Sequence, residues 1–149
     1  MDKGMDPNKI TFRKMAPSDA KLVKGWLGAL PKDEDAFERW ICLCDGHPVG
    51  LILSQEASKC QKQLQEPLAH WVEGLTLLID IVVGDEAAME LCPRGFSVSH
   101  KAVLLAAPEV QEEKKLEILE KAGFVKVSTF ILGQGFFKGK PHYLLKLKV

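Results

Sequence analysis

From Pro17 onward the apolar positions Leu22, Val23, Trp26, Leu27 and Leu30 recur at three- and four-residue spacing, with Ser18 and Asp19 ahead of them and Pro31 behind. That pattern predicts an amphipathic helix with capping chemistry at its start. Before it, Ile10 and Phe12 alternate with Thr11 and Arg13, the period of a strand. Arg39 to Cys44 and Pro48 to Ser54 flank Asp45-Gly46, a dipeptide whose residues tolerate positive φ, so a hairpin with a type I′ turn is expected. Gln55 to His70 is polar and reads as a connector with room for a short helix. In Trp71 to Val83, Leu75, Leu77, Ile79 and Ile81 alternate with Leu78, Asp80 and Val82, which predicts a strand buried on both faces but carrying one carboxylate. Ala102 to Ala107 is a short apolar run that the pattern leaves open between strand and helix.

Glu109 to Ala122 is punctuated as a helix, with Pro108 at the first position, acids early, Lys121 late and Gly123 where a left-handed residue ends it. Phe124 to Leu132 and His142 to Val149 predict a closing pair of strands around the glycine-bearing loop 133–141. The string predicts an α/β fold with a mixed central sheet flanked by helices. Met1 to Lys9 reads as a flexible tail, and 10–149 as a single domain.

Composition narrows the partners. The 149 residues carry 20 Lys+Arg against 20 Asp+Glu, so no long-range field would gather nucleic acid or anionic lipid. The longest apolar candidate, Leu75 to Val83, is broken by Asp80 and is too short to span a bilayer. The polar start lacks the apolar core of a signal peptide, and a cytoplasmic location is the expectation. Cys42, Cys44, Cys60 and Cys92 follow no metal or disulfide spacing, so free thiols and no metal are expected.

Several segments, taken in order, resemble the GNAT acetyltransferase superfamily, nearest its aminoglycoside N-acetyltransferase-like branch. Ile10-Thr-Phe-Arg-Lys-Met15 with Ser18-Asp19 and Trp26-Leu27 is similar to the family's opening strand and helix. Trp40 to Gly50 is similar to its second and third strands, Ile79-Asp-Ile-Val-Val-Gly84 to its fourth, and Leu119-Glu-Lys-Ala-Gly-Phe124 to the junction that closes the acetyl-CoA site. The resemblance implies a fourth and fifth strand that splay around the pantetheine arm, with the pyrophosphate on the N-terminus of the next helix.

The family's loop there, Gln/Arg-x-x-Gly-x-Gly/Ala, is best matched by Cys92-Pro93-Arg94-Gly95-Phe96-Ser97, in which Gly95 alone matches strictly. Only sixteen residues separate Gly84 from Lys101, so a degenerate loop and a shortened helix are expected; an alternative registration makes Ser97 to Ala107 the helix and deletes the fifth strand. Leu119 stands where the family has a proton-donating Tyr, and Glu109 to Glu113 contains no Asn.

Asp80, a lone acid in an apolar strand, is the candidate general base, with desolvation expected to raise its pKa. The resemblance assigns the cofactor to Val82, Gly84, Arg94, Gly95 and Ser97. Trp26, Glu73 and Phe136 are the candidate acceptor contacts, Phe136 doubling as a homodimer contact. The function implied is transfer of acetyl from acetyl-CoA to a primary amine of a small molecule. The alternative is a catalytically degenerate binding or assembly module that no longer takes acetyl-CoA.

Overall fold

Strands form where apolar residues alternate, and they assemble into one seven-stranded sheet of order β1-β2-β3-β4-β5-β7-β6. The structure is a computed structural model, and it describes residues 9–26, 37–59, 62–131 and 140–147. The strands are β1 (Ile10–Lys14), β2 (Glu38–Cys44), β3 (His47–Glu56), β4 (Thr76–Val83), β5 (Val103–Ala106), β6 (Phe124–Ile131) and β7 (Pro141–Leu147). The helices are α1 (Ala20–Lys24), α2 (Lys62–Ala69), α3 (Glu86–Met89), α4 (Cys92–His100) and α5 (Glu113–Lys121). The sheet is mixed, as expected: β4 and β5 run parallel, joined by the α3–α4 crossover, and the remaining pairs are antiparallel.

The hairpin turn forms as predicted, with φ of 52° at Asp45 and 81° at Gly46. Lys9, placed in the tail by the sequence, already accepts the Asp45 N–H at 3.0 Å and so belongs to the sheet edge. The run 103–106 is a strand, which removes the registration that deleted it. Three elements are shorter than their apolar patterns. The helix expected from Pro17 is α1, which ends at Lys24 with Gly25 as its cap, so Trp26 lies past it; Leu27 and Leu30 lie outside the described residues. Trp71 to Leu75 stays outside β4 because Gly74 turns the chain at φ 55°. The last helix starts at Glu113 rather than Glu109, because the Pro108 carbonyl accepts the Tyr143 N–H and the Val110 N–H donates to Pro141. Backbone groups already spent on β7 cannot also form a helix.

The core lies on both faces of the sheet. On one, Leu77, Ile79, Ile81 and Val83 of β4 pack with Phe96 of α4 and with Ile118 and Leu119 of α5. On the other, Leu78 joins a cluster with Leu105 and Leu144, and Val82 joins one with Ile41, Leu51 and Leu53. Asp80 lies between those two clusters in sequence, which is why that face is interrupted at one position.

Ahead of α1, Asp19 ties the first helical turn to β1. Its carboxylate accepts Arg13 in a two-pronged pair at 2.7 and 2.9 Å and the Ala16 N–H at 2.8 Å. The Arg13 hydrogen bonds, then the Ala16 amide, lower the Asp19 pKa to about 2. A depressed carboxylate stabilises the fold above its unfolded pKa, near 4, and loses that contribution as pH falls through about 2. Asp19→Asn is therefore expected to cost about 1–2 kcal/mol at pH 7, with Arg13 partly screened by solvent. Urea unfolding at pH 7 and pH 2 tests this: the gap between the two proteins should close at the lower pH.

Candidate active site

The parallel pairing of β4 with β5 runs from Thr76↔Val103 to Ile79↔Ala106 and then stops, although β4 continues to Val83. On its other side β4 stays paired with β3 through Val83↔Gly50. At its end the Gly84 N–H donates to the Val49 carbonyl at 2.9 Å, so Gly84 faces β3. Residues along a strand alternate in the direction of their main-chain groups. Val82 and Asp80 therefore face β3 as well, while the main-chain groups of Ile81 and Val83 point to the side where β5 pairing has ended, the Ile81 N–H being taken by the Asp80 carboxylate. Past the last β5 pair the main chain of β4 therefore lies outside the ladder on that side, covered at Ile81 and Val83, which are 1% and 5% exposed.

Asp80 is the first β4 residue past the last β5 pair. Its Oδ1 accepts the N–H of Ile81 at 2.8 Å and the ammonium of Lys115 at 2.8 Å. Lys115 comes from α5 and also bonds Glu112 Oε2 at 2.9 Å, while Glu112 Oε1 accepts the Glu109 N–H at 2.9 Å. Asp80 is thus neither alone nor desolvated, since its side chain keeps 41% of its surface in water. The expectation of an isolated, desolvated acid does not hold. Burial pulls the Lys115 pKa down, but the charges and hydrogen bonds of Asp80 and Glu112 outweigh it and the net shift is upward. Glu112 responds in the opposite sense: burial raises its pKa, and Lys115, the Glu109 amide and His142 bring it below the usual range.

Trp26 and Gly84 do come together at the far end of β4. A Cβ on Gly84 would lie 2.7 Å from the indole and 2.8 Å from the Val49 carbonyl, so glycine is required by close approach. Val82 contributes differently from the expectation: its side chain is core, and its main chain faces β3. The main-chain groups that point away from β3 belong to its neighbours, and of these the Ile81 N–H is taken by Asp80.

Solved proteins that share this shape include acetyltransferases. An aminoglycoside N(6')-acetyltransferase from Legionella pneumophila superposes with a TM-score of 0.66 at 20% identity, over 93% of this chain and 91% of that one. AAC(6')-Ib, solved with ribostamycin and coenzyme A, superposes at 0.63 with 15% identity, over 94% and 93%. The fold is that of the GNAT N-acetyltransferases. A spermidine N-acetyltransferase chimera from Vibrio cholerae shares it at a TM-score of 0.56 and 13% identity, over 93% and 95%. No family model and no curated protein sequence matches the chain.

Within this GNAT frame, the segment matched to the cofactor loop lies elsewhere. Cys92 to Ser97 forms most of α4, and Gly95 packs toward Phe12 and Ile10 of β1. In the sheet, β1 is three inter-strand spacings from β4, roughly 14 Å. Ser97 is buried and donates its hydroxyl to the Ala102 carbonyl at 2.6 Å, closing the end of α4. Arg94 is exposed on a groove of about 900 Å³ that it shares with Trp40, His100 and Lys121. Arg94, Gly95 and Ser97 therefore do not meet at the end of β4.

The element after β4 is instead α3, whose first turn is filled by its own acids. The Asp85 carboxylate accepts the Ala88 N–H at 3.1 Å, and Glu86 is bridged to Lys114 at 3.3 Å. Glu73 lies at the opposite end of β4, exposed and 3.6 Å from Lys146. It does not join Asp80. Phe136 lies outside the described residues. Leu119 is buried in the core and offers no proton. Among the described residues no group of His, Cys, Asp and Glu could hold a metal ion, and no helix is long and apolar enough to cross a membrane.

Glu112 and Lys115 escape sequence reasoning. Their three-residue spacing reads as an ordinary surface pair on a helix, and nothing local links them to an acid 32 residues upstream.

Proposed function

We propose that the chain is an N-acyltransferase that moves an acetyl group from acetyl-CoA to a primary amine of a small molecule beside the end of the β4–β5 ladder. The observation that carries this reading is the end of the β4–β5 ladder at Ile79, next to two carboxylates that already hold an ammonium. The comparisons support it at the level of fold: neighbours solved with coenzyme A act on aminoglycosides, and another on spermidine.

The amide-bearing arm of the coenzyme would run along β4 past its last β5 pair, where the Ile81 and Val83 carbonyls point away from β3 and the Ile81 N–H is already taken by Asp80. The diphosphate does not fit the start of α3. Asp85 and Glu86 fill that turn with negative charge, which a helix N-terminus prefers but a second anion opposes. No step is assigned to that end of the ligand. When bound, the coenzyme would supply an activated acetyl thioester. Asp80 and Glu112 would orient the acceptor amine, Asp80 or a water it holds would take its proton, and the Val83 N–H would face charge developing on the carbonyl oxygen.

Thermal unfolding with acetyl-CoA, S-acetylpantetheine and adenosine 3′,5′-diphosphate tests the reading. A ligand at ~100 times its Kd adds about 2.7 kcal/mol, and each kcal/mol raises Tm by about 2–4 °C at this size. Both thioesters are expected to raise Tm, the nucleotide fragment to leave it unchanged. Absence of a shift with either thioester would remove the acyltransferase reading.

A second reading has its own observation. A binding module that has given up the cofactor is favoured by the acid-filled turn of α3 and by Lys115 on the Asp80 carboxylate. It predicts no shift with any of the three ligands.

A further inference from the structure

Lys115 is held on both sides by carboxylates that do not need it for their position. Asp80 is fixed by the Ile81 N–H at 2.8 Å, and Glu112 by the Glu109 N–H at 2.9 Å. The lysine fits between them, at 2.8 and 2.9 Å from the two acids. Its side chain is 16% exposed, against 41% for Asp80 and 35% for Glu112, so water reaches both acids while their shared cation is the covered partner. An ammonium on a four-carbon stem is flexible and can swing out without moving α5.

We propose that Asp80 and Glu112 form a binding site for a primary ammonium group, that Lys115 is its built-in occupant, and that a diffusible amine enters only by displacing it. The proposal deepens the acyltransferase reading and rests on it for the role of the amine. Removing Lys115 from a pair of backbone-anchored acids leaves the site formed, and an incoming ammonium remakes both charge-assisted hydrogen bonds. Displacement is then a competition between a free amine and a tethered one. The tether gives Lys115 a local concentration in the millimolar range or higher, which a free amine must match.

The probe is 1,5-diaminopentane, whose ammonium on a methylene chain copies a lysine side chain. It is titrated calorimetrically, with no acyl donor present, into the wild type and into Lys115→Met, Lys115→Arg and the double variants Lys115→Met/Asp80→Asn and Lys115→Met/Glu112→Gln. Lys115→Met is expected to bind at least about tenfold more tightly than the wild type. Lys115→Arg, which keeps the charge, should stay as weak as the wild type, and either double variant should lose the gain. Equal affinity in the wild type and Lys115→Met, both melting cooperatively, would overturn the proposal. So would a gain that survives both carboxylate substitutions.

Should Lys115→Met not fold, the wild type still decides. Saturating diamine should speed acetylation of Lys115 by acetic anhydride, mapped by mass spectrometry, relative to Lys114; an unchanged ratio would sink the idea. Because no arm contains coenzyme A, a negative result here leaves the thioester experiment standing, and the reverse holds as well.

Discussion

Phe96→Ala is expected to cost about 3–5 kcal/mol and to lower Tm on the order of 10 °C. Phe96 is fully buried where α4 meets the sheet. Its ring sits edge-on to Phe12 at 5.3 Å and to Trp40 at 6.0 Å, and lies 4.0 Å from His100 on its own helix. Truncation removes the transfer free energy of the ring and leaves a cavity between three aromatic side chains that are fixed from other directions. Trp40 also has Lys14 over its outer face, which limits how far it can collapse inward. Phe96→Leu should recover much of the loss, since it restores most of the volume but not the edge contacts. Equilibrium urea unfolding of the two variants separates volume from ring geometry; equal losses in both would mean that the edge contacts dominate.

Gly84→Ala is expected to cost at least about 1–3 kcal/mol and to disturb the end of β4. The added methyl meets Trp26 at 2.7 Å and the Val49 carbonyl at 2.8 Å. The indole can shift, but the carbonyl cannot do so freely, because it accepts both the Gly84 and Asp85 N–H groups at 2.9 and 2.8 Å. Weakening those bonds adds about 0.5–1.5 kcal/mol each. A double-mutant cycle with Trp26→Ala divides the two clashes. The cost of Gly84→Ala should shrink in the Trp26→Ala background without vanishing, the remainder belonging to Val49. If it vanishes, the carbonyl yields more easily than its two hydrogen bonds imply.

Much of the local structure is legible along the chain. The Asp45-Gly46 turn, the β2–β3 hairpin and the Gly123 terminator rest on φ preferences that short sequences carry by themselves. Gly123 takes φ 111° just past Ala122, the cap of α5, where the sequence placed it. The start of α5 departs from its punctuation because the backbone of Pro108 and Val110 is claimed by β7, more than thirty residues away in sequence. The cofactor-loop match fails for a related reason. Cys92 to Ser97 fits the motif by residue type, but α3 intervenes after β4, and the helix carrying that match continues to the β1 edge of the sheet.

The sequence alone determined the mixed α/β class, the hairpins, most helices and the presence of an acid in an otherwise apolar strand, because each depends on periodicity or on the conformational preference of a few neighbouring residues. Only the tertiary structure decided what that acid does. The β4–β5 pairing ends at Ile79, just before Asp80, and α5 then delivers Glu112 and Lys115 to that acid. Charges act through space over a few ångströms, whereas a sequence records distance only along the chain.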